Sequence, residues 1–223
     1  GVRARPVEVS LAHGGVLFLD ELAEFKRSVL EVLRQPLEER EVRIVRNHGV
    51  IIYPADVMLV AAMNPCPCGY YPDMNRCTCT QSQVSRYLKK ISGPLLDRFD
   101  LCTEMRDIPG EGLWDKEKGK TSREIRNEII KVHNLQKERY KNTDIRFNSR
   151  LSGKDTEKYC PLEEEARTLL KRAYEKMELS LRGYHKILKT ARTIADLEDR
   201  ESIGPEHISE AVFYRAMDKK YWK

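Results

Sequence analysis

Residues 16–21 read Val-Leu-Phe-Leu-Asp-Glu, and this stretch decides the fold. Four consecutive apolar residues are typical of a short strand that is buried on both faces of a parallel sheet. Two acids follow directly, at the carboxyl end of the strand, and that edge is where α/β proteins bind their ligands. The stretch therefore predicts an α/β fold with an acidic site at one edge of the sheet.

A second apolar run, residues 57–63, predicts a parallel neighbour that ends at Asn64. Acids at the end of a strand can simply serve solubility, but a neighbouring amide favours a site for phosphoryl chemistry. In such a site Asp20 would hold Mg²⁺ and Glu21 would polarise the water that attacks a γ-phosphate. Asn64 would orient the same water without competing for the metal.

Between the two strands, the pattern predicts a helix and then a β-hairpin. The helix begins at about Glu24, and Pro36 is expected to end it. Strand-like residues 41–46 and 50–53 flank a turn that contains Asn47 and Gly49. Basic residues lie on and near the tip of this hairpin, namely Arg43, Arg46 and His48. They are candidates for phosphate contacts, or they only solvate an exposed hairpin.

Beyond residue 107 the chain changes character. We predict a first domain over residues 1–107, a linker over 108–121 and a helical domain over 122–223. Periods of 3.6 residues predict four helices, near residues 122–141, 162–177, 180–199 and 205–219. On the third of these, we expect the apolar face to be core and most of the basic residues to be solvated, among them Lys186, Lys189 and Arg192.

Four of the six cysteines crowd into one loop, as Cys66-Pro67-Cys68 and Cys77-Thr78-Cys79. Four thiolates form a complete tetrahedral set for Zn²⁺, and a metal can order a loop that has little core of its own. The usual spacing is C-x-x-C, so free reduced thiols and a disulfide remain alternatives. The isolated Cys102 and Cys160 are expected to be ordinary, partly buried residues.

The composition narrows the class of protein. The 223 residues carry 40 Lys plus Arg against 35 Asp plus Glu, a net charge of +5 that permits an anionic partner. No apolar run approaches the ~18 residues that cross a bilayer, and the first residues do not resemble a signal peptide. We therefore expect a cytoplasmic protein with no membrane partner.

The order of these motifs resembles a known group of ATPases. Gly93-Pro94-Leu95-Leu96-Asp97-Arg98-Phe99-Asp100 follows the acids and the Asn-Pro pair, as in AAA+ ATPases of the group that contains magnesium-chelatase I subunits and MCM helicases. Residues 10–21, 62–71 and 191–197 narrow the resemblance to the ComM/YifB family of bacterial magnesium-chelatase-like proteins. The fold implied is part of a P-loop-type AAA+ core with a hairpin insertion, followed by a helical lid.

The resemblance also implies roles for individual residues. Arg98 matches the arginine finger that reaches the γ-phosphate of a neighbouring subunit, although an Arg paired with Asp97 or Asp100 is the alternative. Arg182 matches a sensor 2 position that contacts nucleotide from the lid. The hairpin of such proteins projects toward the pore of a ring, where it would contact DNA.

At the level of the whole protein, the resemblance implies a hexameric, ATP- and Mg²⁺-dependent DNA translocase that drives branch migration during recombination and natural transformation. A motor subunit of a metal-chelatase complex is the alternative, but the chelatase I subunits that it resembles lack the cysteine loop. A DNA-binding or assembly module without catalysis is a third possibility.

One motif of the family is missing. The phosphate-binding loop needs G-x-x-x-x-G-K-[ST], and the only Gly-Lys-Thr is Gly119-Lys120-Thr121, with Trp114 where the first glycine should be. This segment follows no apolar strand and comes after the acids, so it cannot form that loop. We therefore expect a fragment or a degenerate copy of an ATPase, inactive in isolation.

Overall fold

A computed structural model describes residues 6–46, 49–105 and 119–222. The chain divides into two compact units, one from its start to Phe99 together with its end from Asp218, and one over Asp100–Met217. The predicted linker falls largely outside the described residues. Within the described part of the chain, no helix has the length and apolar character to span a bilayer.

The first unit combines a small parallel sheet, a hairpin and short helices. Its helices are α1 (Glu8–Leu11), α2 (Arg27–Val32), α3 (Arg34–Glu39), α4 (Gln81–Leu88) and α5 (Gly93–Leu96). Its strands are β1 (Val16–Leu19), β2 (Glu41–Arg46), β3 (Gly49–Pro54) and β4 (Met58–Ala61). The predicted mixed α/β class is confirmed, as are the hairpin β2–β3 and the parallel pair β1–β4.

The expectation that this sheet is buried on both faces is wrong for the described residues. Side chains that alternate along its two strands are between 40% and 65% exposed, namely Val16, Phe18, Met58 and Val60. These exposures show that nothing among the described residues fully covers this face of the two-stranded sheet. The other face packs Leu19 and Ala61 against a core that includes Leu22, Leu30 and Leu95.

The helix after β1 does not end at Pro36. It divides into α2 and α3 at Leu33, and Pro36 lies in the first turn of α3. Proline has no N–H to donate to the carbonyl four residues earlier, so the helical bonding pattern breaks there. A proline in a first turn is tolerated, and the chain resumes a helix.

The second unit is helical. It contains α6 (Ser122–Arg139), α7 (Gly153–Tyr159), α8 (Glu164–Lys176), α9 (Leu181–Leu197) and most of α10 (Pro205–Tyr221), which confirms the four predicted helices. Helix α7 was not predicted, although Ser152 and Asp155 form the capping box that begins it. The core gathers around α9, where Ile187, Ala191 and Ala195 are fully buried.

Candidate active site and metal centre

The two parallel strands end at the same edge. Leu19 lies opposite Ala61, the Leu22 N–H donates to the Ala62 carbonyl at 2.9 Å, and the Ala62 N–H donates to the Leu19 carbonyl at 2.9 Å. Asp20 and Glu21 follow one strand and Asn64 the other, and all three residues are exposed. Two carboxylates and an amide therefore face solvent at one edge of the sheet.

Glu21 has an unusual backbone. Its φ of 49° and ψ of 46° place it in the left-handed region, which costs a residue with a Cβ about 1–2 kcal/mol. The Asp20 carboxylate accepts the Glu21 N–H at 2.8 Å, and the buried Leu22 and Ala23 fix the turn that follows. Strain of this kind persists where the surroundings enforce it, and it is common at functional sites.

The exposed oxygens at this edge suit a hard cation. Mg²⁺ prefers carboxylate oxygens and keeps several of its waters, so it needs one or two carboxylates on an open surface. Asp20 is such a group, and Glu21 stands beside it. When bound, Mg-ATP would supply the phosphate to be cleaved, while Glu21 and Asn64 can accept and orient protons of a water.

The structure places Arg98 in contacts within its own unit. Its guanidinium lies 2.5 Å from the Glu38 carboxylate and donates to the Pro94 carbonyl at 2.7 Å, and its side chain is 14% exposed. Asp100, one of the alternative partners, lies 2.9 Å from Lys186 instead. The Arg98 guanidinium is thus held by a carboxylate 60 residues away, which no local pattern predicts.

Arg182 is exposed at the second position of α9, in the other unit. The remaining basic residues of this helix are less solvated than expected. Lys186 is mostly buried in its pair with Asp100, and Arg192 is 1% exposed. Arg192 donates to Asp196 and to the Glu201 carbonyl, which replaces water around its charge.

The hairpin separates its two basic side chains. Arg43 pairs with Ile52 and Arg46 with Gly49 in the antiparallel register, so the two arginines lie on opposite faces. Glu41 at 2.6 Å, with Glu39 at 3.7 Å, raises the pKa of Arg43 and neutralises its charge locally. Arg46 pairs with no acid among the described residues, and His48 lies outside them.

The four clustered cysteines come together as a set. The sulfur of Cys66 lies 3.4 Å from that of Cys68 and 3.8 Å from that of Cys77, and all four sulfurs, including Cys79, lie within 4.8 Å of one another. A tetrahedral zinc with Zn–S bonds of about 2.3 Å separates its sulfurs by about 3.8 Å. A disulfide would need an S–S distance of about 2.05 Å, so these are four free thiols with the spacing of a zinc site.

Backbone N–H groups favour thiolates in this cluster. The Tyr71 N–H donates to the Cys66 sulfur at 3.4 Å, and the Tyr70 N–H lowers the pKa of Cys68 to about 5. The Cys79 N–H acts the same way on Cys77, but lost solvation and the neighbouring thiols raise the pKa of Cys77 to about 12. The N–H groups thus favour a thiolate at Cys68, and a bound cation would favour deprotonation of the remaining thiols.

Gly119-Lys120-Thr121 has a structural role in the second unit. Thr121 caps α6 and forms a capping box with Glu124. Lys120 donates to both carboxylate oxygens of Glu128, at 2.7 and 2.9 Å. Residues 114–118, the rest of that segment, lie outside the described residues.

A set of buried polar residues was missed by sequence reasoning. Asp196 is fully buried and accepts hydrogen bonds from four side chains, those of Gln136, Arg139, Asn148 and Arg192. The four-residue spacing of Arg192 and Asp196 on one helix was the available signal. This network joins α6, α9 and the turn at Asn148–Arg150.

Comparison with known proteins gives two family matches. Residues 1–113 match the family described as magnesium chelatase, subunit ChlI, and residues 119–215 match its C-terminal part. The chain is 45% identical over 97% of its length to competence protein ComM of Haemophilus influenzae. It is 42% identical over 98% to YifB of Salmonella typhimurium, and 41% over 96% to YifB of Escherichia coli. It spans 42% of the length of each of these relatives.

Proposed function

The chain belongs to the magnesium chelatase ChlI family, and we propose that it forms the hydrolytic and lid part of an AAA+ ATPase that moves along DNA. In the intact protein, Asp20 binds Mg²⁺, Glu21 and Asn64 activate water, and Arg182 contacts nucleotide. The phosphate-binding loop comes from another part of the protein, so the 223 residues alone do not hydrolyse ATP.

The observation that carries this proposal is the paired ending of β1 and β4. Their register brings Asp20, Glu21 and Asn64 to one edge, and Glu21 holds a strained backbone there. Arg40, Glu178 and Asp199 share this left-handed backbone, so the proposal rests on the shared edge of the three polar groups and not on the strain.

The DNA role is supported by sequence similarity and by charge. One relative is named for competence, and Arg46 leaves a cation at the tip of the hairpin. The rival function is a motor subunit of a metal-chelatase complex, which the description of the matched family favours. DNA-stimulated hydrolysis would distinguish the two.

We also propose that the four cysteines bind one structural Zn²⁺. Their sulfur spacing and the two N–H groups directed at Cys66 and Cys68 support this ligand set. Elemental analysis of the purified protein is expected to find about one zinc per chain.

The hydrolytic role is tested with Glu21→Gln in the intact protein. The variant should bind ATP with unchanged affinity and lose turnover by about a hundredfold or more, since the carboxylate base is gone. Glu24→Gln, an exposed acid three residues further along, is the matched control and should keep full activity. Unchanged hydrolysis in Glu21→Gln would remove this residue from the mechanism.

The finger role of Arg98 requires a neighbouring subunit in a ring, which we expect to be hexameric. Arg98→Ala subunits should be inactive alone but regain part of their activity when mixed with Glu21→Gln subunits, because each variant supplies what the other lacks. Arg86→Ala, which removes an exposed arginine of α4, is the control. Failure of the mixture to exceed either variant alone would exclude a shared site.

The hairpin gives a graded test of DNA binding. Arg46→Ala should weaken binding more than Arg43→Ala, because Glu41 and Glu39 already neutralise Arg43. Binding measured against salt should also show a shallower slope for Arg46→Ala, by about one unit for one lost phosphate contact. Equal effects of the two substitutions would contradict this assignment.

A further inference from the structure

The cysteine loop begins next to the hydrolytic edge, by which we mean the edge of the sheet that carries Asp20, Glu21 and Asn64. Only Pro65 separates Asn64 from the ligand candidate Cys66. The loop then turns back, and Gly69 reaches the Asn64 side chain: a Cβ on Gly69 would lie 3.9 Å from the Asn64 Cγ. Gly69 also has a φ of +86°, a conformation that glycine adopts without strain. The Asn64 amide thus lies beside the loop that carries the thiols, close enough for a side chain at position 69 to touch it.

The same loop contacts the strand end that carries Glu21. Cys66 is completely buried in a cluster with Ala23, Val84 and Leu88. Ala23 is only two residues beyond Glu21, and its neighbour Leu22 is hydrogen-bonded to the Ala62 carbonyl, ahead of Asn64. One cysteine ligand therefore packs against both segments that form the candidate active site.

The loop has little regular structure of its own to fix these contacts. Residues 62–80, all of them described, contain neither helix nor strand. Loop order then comes from its backbone turns, from Cys66 and Tyr71 in the buried cluster, and from whatever joins the two cysteine pairs. A metal bond between Cys66, Cys68, Cys77 and Cys79 closes the loop at both ends, and binding free energy of this kind becomes folding free energy.

From these contacts we propose that the four-cysteine metal centre is the support of the hydrolytic site: its metal holds Asn64 and the Glu21 turn in their working positions. The metal is structural and takes no part in bond breaking. The cysteines are positioning residues, and the consequence for ATP hydrolysis rests on the proposed function. The structural consequence does not rest on the proposed function, because it concerns only the order of the chain at the ends of β1 and β4.

The chain contains a reporter for this coupling. Trp222 packs against the same buried cluster, and its indole N–H donates to the Leu88 carbonyl at 2.9 Å. The other tryptophan of the chain is Trp114, outside the described residues. In a Trp114→Phe version of the chain, emission from Trp222 reports on the packing beneath the metal loop.

The experiment removes zinc from the intact protein with a thiol-reactive mercurial and a chelator, followed by hydrogen exchange detected by mass spectrometry. Amides of residues 19–24 and 61–66 should exchange at least about tenfold faster after metal loss, while those of α9 stay unchanged. The Trp222 emission should shift, and adding back Zn²⁺ or Cd²⁺ should restore both signals. Cys77→Ser should behave like the metal-free protein, and Cys102→Ser, outside the cluster, like the wild type.

In the active protein, metal loss should lower kcat at least about tenfold and leave the Kd for ATP within about threefold, the split expected when positioning is lost. Absence of metal from freshly reduced protein would overturn the proposal. So would faster exchange confined to residues 65–80, or metal re-addition that fails to restore residues 19–24. Coupled exchange in a protein that never hydrolyses ATP would refute the proposed function and leave the supporting role standing.

Discussion

Asp196→Asn should be among the most damaging single substitutions in the second unit. The Asp196 carboxylate is fully buried, and each of its oxygens is already committed. One oxygen accepts from Arg192 at 3.0 Å and from Arg139 at 2.5 Å. The other accepts from Gln136, Arg139 and Asn148, at 3.1, 2.9 and 2.8 Å.

The expected loss follows from what the amide leaves behind. An asparagine can replace one oxygen, but its NH₂ group then points at three donors and accepts from none of them. Arg192, only 1% exposed, also loses its counter-ion and keeps only neutral acceptors, namely the remaining asparagine oxygen and the carbonyls of Arg200 and Glu201. Breaking a buried ion pair on one side costs about 3–5 kcal/mol, a large share of the 5–15 kcal/mol that stabilises a domain.

Urea denaturation followed by far-ultraviolet circular dichroism measures this loss, because the second unit holds most of the helix. Asp144→Asn, which changes an exposed acid of the same unit, is the control and should shift the free energy of unfolding by less than about 0.5 kcal/mol. A loss below about 1 kcal/mol for Asp196→Asn would refute the reasoning, since it would mean that Arg192 needs no buried partner.

Two further predictions concern strain and pH. Glu21→Gly should raise the free energy of unfolding by up to about 1 kcal/mol while abolishing turnover, because glycine adopts the left-handed backbone without a clash. Glu24→Gly should instead lower the free energy of unfolding. A lower free energy of unfolding in Glu21→Gly would contradict the claim that the Glu21 backbone is strained. Burial, with the charge of Lys189, lowers the pKa of His185 below 6.5, so its contribution to stability is complete above pH 6.5 and is lost on acidification. His185→Gln should flatten the fall in thermal stability between pH 7 and pH 5; an unchanged fall would exclude His185 as its cause.

Local patterns were enough to predict the strands and most helices. Apolar runs located β1 and β4, and the 3.6-residue period located α6, α8, α9 and α10, since each element carries its own signal. Turn residues located the hairpin. The clustered thiols were also visible in sequence, because the two cysteine pairs lie within 14 residues of each other along the chain.

What sequence missed depends on contacts between distant residues. The Glu38–Arg98 pair spans 60 positions, and the pairing of Arg139 with Asp196 spans 57. A basic residue on a helix is usually solvated, but Arg192 is buried because backbone carbonyls and Asp196 replace water around it. The same limit explains the wrong expectation for β1, whose apolar residues indicate a strand but not what covers it.

The exposed face of the sheet limits how the hydrolytic edge is held. Packing on this face contributes little to the order of β1 and β4, because within the described residues its side chains are largely exposed, namely Val16, Phe18, Met58 and Val60. On the opposite side, Leu19 and Ala61 pack against the core, and Leu22 is hydrogen-bonded to Ala62. The cysteine loop adds the buried Cys66, which shares a second cluster with Ala23. Two consequences follow for the intact protein. Covering the apolar face should stabilise the sheet without moving the catalytic groups, whereas disturbing the loop should move them even while the sheet persists.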